Sequence, residues 1–188
     1  MLNVAVLCSR RAPGVEELRQ RAHVACVVHR EPPRGGDRKA FDAETASLLH
    51  AFPIDVVVCL GYLYVITEPL LRAFPDRILN VHDADLTLRR ADGSPRYPGL
   101  HATRDAIVAG ERETRSSVHL VTPELDAGPV IVRSDAFAVA PFVHEAVLRG
   151  QHDIVRAYAY AQREWMMRST WGALAADALE HLVMEAVA

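Results

Sequence analysis

The feature that most restricts how this chain can fold is a series of short, almost continuously apolar runs separated by stretches of helical period. The runs fall at residues 2–8, 23–28, 55–60 and 78–82. A strand with one wet face alternates apolar and polar side chains, whereas an unbroken run suits a strand covered on both faces, as in a parallel sheet. The intervening segments at 15–21, 39–50 and 68–73 read as helices. The second of these offers Phe41, Ala43, Ala46, Leu48 and Leu49 for packing, and the third begins beside Thr67 and Pro69. Strands alternating with helices predict an α/β fold, a doubly wound and mostly parallel sheet with the first run central. In such sheets ligands bind beyond the carboxyl ends of the strands, where Ser9, Gly61 and His82 fall.

The second half of the chain changes character. Residues 83–96 form a polar loop containing Arg89, Arg90, Asp92, Gly93 and Pro95, and 100–109 reads as a helix ended by Gly110. Residues 115–122 and 129–139 are extended and predict a hairpin-like addition to the sheet. From His144 the period is helical. Val147, Leu148, Ile154, Val155, Tyr158, Ala161 and Trp165 make one stripe. A last helix puts Trp171, Leu174, Ala175, Ala178, Leu179, Leu182 and Val183 on one face. Both stripes read as core packing or a dimer surface. The expectation is one domain over 1–188, with a parallel half at 1–82, loops and a strand pair at 83–140, and a helical segment at 141–188.

Composition narrows the function classes. A chain of 188 residues, half of them apolar, can bury one substantial core. The formal net charge of -3 and the lack of a dense basic stripe argue against nucleic acid as a partner. Cys8, Cys26 and Cys59 all lie in apolar runs, as reduced core residues of a cytoplasmic protein do. The first charged residues follow the opening apolar run instead of preceding it, the wrong order for a secretory leader, and no apolar run approaches the ~20 residues of a membrane helix. The expected protein is soluble and cytoplasmic, without a membrane partner, and a monomer or homodimer.

Chemistry concentrates in two segments. Asn80 and His82 end the fourth apolar run two residues apart, so a strand there puts an amide and an imidazole on one face. Asp126 lies in Leu-Asp-Ala-Gly, a tight loop between two extended segments. An amide, an imidazole and a carboxylate suit acyl transfer. Each residue type also has an ordinary use here, the Asn as a turn or cap, the His as a satisfied core or surface group, and the Asp as a turn former.

With the Tyr97-Pro-Gly-Leu-His101 stretch between them, these segments resemble the formyltransferase family that uses 10-formyltetrahydrofolate, above all its glycinamide ribonucleotide branch. The likeness covers residues 2–139. It implies that Asn80, His82 and Asp126 are the catalytic trio. Transfer of a formyl group passes through a tetrahedral carbon bearing an oxyanion, and donors aimed at that oxygen act as charge develops. Asn80 and His82 are the candidate donors. Asp126 is placed to favour a protonated imidazole and to relay the proton lost by the attacking amine. No metal is needed.

The resemblance also implies a pocket for the formyl donor, 10-formyltetrahydrofolate, built from Leu60, Gly61, Tyr62, Leu63, Tyr64, Val65 and Ile66 and from Val121, Thr122, Glu124 and Leu125. His119 and His101 match family positions beside the site. The likeness weakens toward the amine substrate. The family's Gly-, Ser- and Asn-rich phosphate loop is here Cys-Ser-Arg-Arg-Ala-Pro-Gly at 8–14, in which Pro13 lacks an N–H. Ser9, Arg10, Arg11 and Gly14 are the residues left there to meet a phosphate. The loop after His82 is longer and more charged than the family's. Within it Asp83 and Asp85 would favour a cationic amine, whereas Arg89, Arg90 and Arg96 would favour an anion. The expected activity is formyl transfer to glycinamide ribonucleotide in purine biosynthesis. Other readings are transfer to another amine such as an amino sugar nucleotide, hydrolysis of formyltetrahydrofolate, or folate binding without turnover.

Overall fold

The computed structural model describes residues 2–9 and 11–185. Its strands β1 (Asn3–Cys8), β2 (His23–His29), β3 (Val56–Cys59) and β4 (Ile78–His82) are mutually parallel, and β6 (Ser117–Leu120) and β7 (Val130–Arg133) add antiparallel at one edge. The sheet order is β2-β1-β3-β4-β6-β7, so β1 is interior as expected, and a separate two-stranded ladder pairs β5 (Glu113–Thr114) with β8 (Phe137–Ala138). The strand pair therefore leaves the main sheet at its far end. There Ser116 and Ser134 bond to each other through backbone and hydroxyl.

Both faces of the sheet are covered, which is why its strands read as unbroken apolar runs. Val4, Val6, Val56, Val58, Leu79 and Val81 pack under α1 (Val15–Arg21) and α6 (His152–Glu185). The alternate residues Ala5, Leu7, Val57, Cys59 and Ile78 pack under α2 (Arg38–Leu49) and α3 (Glu68–Ala73). Asp37 caps α2, accepting from Lys39 N at 2.8 Å and Ala40 N at 3.2 Å, and Pro69 opens α3 where a missing N–H costs nothing. α4 (Ala102–Val108) ends at Gly110 and α5 (Pro141–Leu148) ends at Gly150, both with positive φ.

The C-terminal helices depart from expectation. The break comes at Gly150, and everything from His152 to Glu185 is one helix where two were expected. Ser169 and Thr170 do not interrupt it, because their hydroxyls bond back to the carbonyls of Trp165 and Met166 at 2.6 and 2.8 Å. Gly172 does not interrupt it either, because the missing side chain is what lets the helix close on Gly14. A Cβ on Gly172 would stand 2.4 Å from Gly14 O. The first expected stripe is also corrected. Leu148, Ile154 and Trp165 are exposed, Trp165 meeting Phe137 edge-on, and Val143, Ala146, Val155 and Ala159 are the residues buried at this end. The second stripe is buried from Trp171 to Leu179, whereas Val183 is exposed. No described helix is long and apolar enough to cross a membrane.

Candidate active site

Antiparallel pairing of β4 with β6 sets Asn80 opposite His119 and His82 opposite Ser117 on one face of the sheet. The His119 ring is almost fully buried, and its Nδ1 lies 3.0 Å from Leu120 O while its Nε2 lies 3.1 Å from Asn80 Nδ2. A neutral ring satisfies both contacts, with Nδ1–H donating to the carbonyl and Nε2 accepting from the amide. Burial holds the imidazole in that state, and the neighbouring His82 adds to it. Against the opposing Asp126 carboxylate, the two push the His119 pKa down to about 4. One amide hydrogen of Asn80 is thereby committed and the other remains for a ligand.

The pH consequence follows from linkage. An unfolded His binds its proton near pH 6.5, whereas His119 in the fold takes one only near pH 4, so the unfolded state holds more protons between those values. The stability His119 contributes is complete above pH 6.5 and is lost as pH falls toward 4, by on the order of 3 kcal/mol for a shift of this size. His119→Gln keeps a polar partner for Asn80 without titrating, so its urea unfolding free energy should fall less between pH 7 and pH 4.5 than that of the parent. Equal losses in the two proteins would reject this role.

His82 Nε2 lies 3.2 Å from Tyr97 O, which fixes the ring and turns Nδ1 toward Asp126 Oδ2 at 3.9 Å. Asp126 sits at φ +51° in the loop between β6 and β7, a left-handed conformation that Asp adopts more readily than most residues. Gly99 N–H donates to its Oδ2 at 2.7 Å, tying this loop to the Tyr97-Pro-Gly stretch. Asn80, His82, His119 and Asp126 all line one cleft of about 260 Å³ beyond the carboxyl ends of β3 and β4.

Two loops wall the cleft. Gly61, Tyr62, Leu63, Tyr64, Val65 and Ile66 form one side, and Val121, Thr122, Glu124 and Leu125 form the other with Pro123. Leu60 stands apart from its neighbours, fully buried in the core beneath α6. The first loop is firmly held. Ser9 Oγ accepts from Leu63 N at 3.0 Å, Arg38 donates to Val65 O at 2.7 Å, and the buried Asp42 carboxylate accepts from both Thr67 N and Thr67 Oγ1 at 2.7 Å. Burial pushes the Tyr62 phenol up to about 12, so it stays a neutral donor.

Three of the residues expected at the substrate phosphate, Ser9, Arg11 and Gly14, make contacts within the fold. Arg11 pairs with Glu164 of α6, and a Cβ on Gly14 would lie 2.3 Å from Gly172 N, so this turn is a packing surface for α6. Ser9 serves the loop at 61–66, and Arg10 lies outside the described residues. Asp83 lines the cleft, but its carboxylate accepts from Arg163 Nε at 2.6 Å and Thr103 Oγ1 at 3.0 Å, which offsets the charge expected to draw a cationic amine. Asp85 is paired with Arg133 at 2.7 Å, and Arg96 with Glu111 at 3.0 Å. Arg89 and Arg90 bond to backbone carbonyls of Ala127 and Arg96. The long loop is thus a small self-braced hairpin, with an Arg89–Pro95 bridge and Gly93 at its tip. His101 opens α4 and faces a neighbouring cleft instead.

Sequence reading missed Cys59, Gly99, Leu100, Arg163 and Trp171 as lining residues. Trp171 spans core and cleft, its Nε1–H donating to Ser116 Oγ at 2.9 Å. Arg163 and Trp171 carried no signal, since both lie in a helix whose apolar stripe reads as packing.

The fold is a doubly wound α/β sheet that gathers an amide, an imidazole and a carboxylate in one cleft at its strand ends. The chain belongs to the formyl transferase family, whose model matches residues 2–151. Phosphoribosylglycinamide formyltransferase of Escherichia coli is 37% identical over 97 residues, which is 52% of this chain and 42% of that protein. The trifunctional purine biosynthetic protein adenosine-3 of Drosophila melanogaster is 34% identical over 134 residues, 69% of this chain and 9% of that protein. The match thus spans less than half of either relative. Among solved structures, glycinamide ribonucleotide transformylase 1 of Symbiobacterium toebii superposes with a TM-score of 0.63 at 28% identity, covering 89% of this chain and 86% of that one.

Proposed function

We propose that this protein transfers a formyl group from 10-formyltetrahydrofolate to the amine of glycinamide ribonucleotide, a step of purine biosynthesis. The observation that carries the reading is the convergence of Asn80, His82 and Asp126 on one cleft whose other walls are two apolar-faced loops. Those walls fit the donor. Tyr62, Ile66, Val121 and Leu125 offer flat apolar surface, and the backbone of both loops offers edge hydrogen bonds to a pteridine. When bound, the donor supplies a formyl carbon on a nitrogen leaving group.

The side chains have separable tasks. His82 spends Nε2 on Tyr97 O, so its Nδ1 donates only as part of an imidazolium, and Asp126 at 3.9 Å stabilises that positive charge. Asn80 donates its uncommitted amide hydrogen to the same developing oxyanion, its orientation set by neutral His119. Asp126 accepts the proton that the acceptor amine sheds as it attacks and passes one to the donor nitrogen as the bond from that nitrogen to the formyl carbon breaks, so the step balances.

The first test is incubation of the purified protein with 10-formyltetrahydrofolate, with and without glycinamide ribonucleotide, following the folate product by absorbance. Release that depends on the ribonucleotide is expected. Release without any amine would replace this reading by hydrolysis, and folate binding without release would replace it by another acceptor or a non-catalytic role.

A further inference from the structure

The first half of α6 carries an apolar ridge that faces water. Ile154, Tyr158, Ala161 and Trp165 recur at helical spacing, and Ile154 and Trp165 are 44% and 55% exposed. Aromatic rings from neighbouring elements widen the ridge. Phe137 of β8 meets Trp165 edge-on at 4.9 Å, and Phe142 of α5, itself 57% exposed, meets Tyr158 edge-on at 5.6 Å. Contiguous apolar surface of this kind marks an interaction site. The opposite side of the helix carries Arg156, Tyr160 and Arg163 to the candidate active site and the cleft beside it, so the ridge is a separate surface.

The pattern on this ridge is self-complementary. Its gaps of four, three and four residues run the same in both directions, so a two-fold axis at the midpoint sets an antiparallel copy in register with the first. Ile154 then lies opposite the second copy's Trp165, and Tyr158 opposite its Ala161, where a large ring fits against a methyl group. The charges at the two ends match under the same operation. Asp153 precedes the ridge and Arg168 follows it on one flank, with side chains 92% and 74% exposed, so the acidic end of each copy meets the basic end of the other. A parallel pair would instead set each charge against its own copy, which is repulsive. Within the chain Asp153 pairs with Arg156 at 2.9 Å and Arg168 with Glu164 at 3.6 Å, and a carboxylate or a guanidinium at such exposure has capacity for a second partner. Glu164 shares that flank but is only 14% exposed and is also matched by Arg11.

We propose that this ridge is the interface of a homodimer, formed by two copies of α6 packed antiparallel about a two-fold axis, with Trp165 as its anchor and Asp153–Arg168 pairs at both ends. Aromatic side chains at the centre of a contact carry most of its energy, and the charged ends fix its register. A contact that pairs one surface with itself is closed, so association stops at the dimer. The clefts lie on the other side of α6 and remain open in each copy.

Sedimentation analysis of the full chain over a concentration series should show a reversible monomer–dimer equilibrium. Trp165→Glu should weaken dimerisation by at least about a hundredfold, since the anchor is lost twice in a symmetric contact. Asp153→Arg and Arg168→Asp should each weaken it by about tenfold, because either reversal sets like charges together at both ends. Combining the two reversals should restore association to within about threefold of the parent, a recovery that damage to the fold does not produce. Arg72→Glu, an exposed charge reversal on α3 at the other face of the sheet, serves as control and should change nothing. Circular dichroism confirms that each variant is folded. A parent that stays monomeric throughout would overturn the proposal. A dimer that persists in Trp165→Glu, or reversals whose effects add instead of cancelling, would place the contact on another face and overturn it equally. None of these readouts depends on turnover, so the outcome leaves the proposed activity standing.

Discussion

Replacing His82 by alanine should lower kcat for formyl transfer by about 10²- to 10³-fold, the effect of deleting one preorganised oxyanion donor. Folate affinity should persist, because the apolar walls at 61–66 and 121–125 do not depend on this ring. The reason for so large an effect is that the donor is fixed before the reaction begins. The ring is buried, anchored at Nε2 by the Tyr97 carbonyl, and faced by Asp126. In the proposed mechanism, losing it removes a donor that acts on the developing oxyanion more than on the ground state. Single-turnover kinetics with a parallel folate titration separates the two quantities. A variant that turns over normally would remove His82 from the chemistry, and one that loses folate affinity in proportion to rate would show that the ring shapes the pocket.

Gly128→Ala should cost about 3 kcal/mol or more, at the upper end of what overpacking costs, and lower the melting temperature by roughly 6–12 °C for a chain of this size. A Cβ on Gly128 would stand 1.9 Å from Leu120 O and 3.0 Å from Thr122 Cγ2, so the obstacle is backbone that cannot rotate away. Leu120 N also donates to Pro129 O at 2.9 Å across this contact, so β7 must shift from β6 to make room. Asp126 rides on the same loop, two residues upstream. Its bond to Gly99 N and its approach to His82 depend on where that loop closes. Thermal denaturation and kcat should therefore fall together. A variant with the parent's melting temperature would show that the loop has slack the structure does not reveal.

Four parallel strands and the helices between them were legible because each strand is buried on both faces. Burial of that kind leaves continuous apolar runs in the chain, and period-2 sorting into the two cores needs nothing further. Asn80 and His82 were visible as polar residues ending such a run and Asp126 as part of a turn, but it was the likeness to the formyltransferase family that singled them out together as candidates. What remained hidden depends on contacts between distant parts of the chain. The register of β4 with β6 decides that His119 faces Asn80, and burial then decides that His119 is neutral. The close approach of Gly14 and Gly172 decides that α6 runs unbroken and that the turn after β1 becomes packing surface. That docking carries Arg163 and Trp171 to the cleft and Arg156 beside Arg104. Local period records which face of an element is buried, and so the residues by themselves determined the parallel strands and set Asn80 and His82 on one face. Only the tertiary structure decided their company, because what a buried face meets depends on backbone approach between segments that are far apart in the chain.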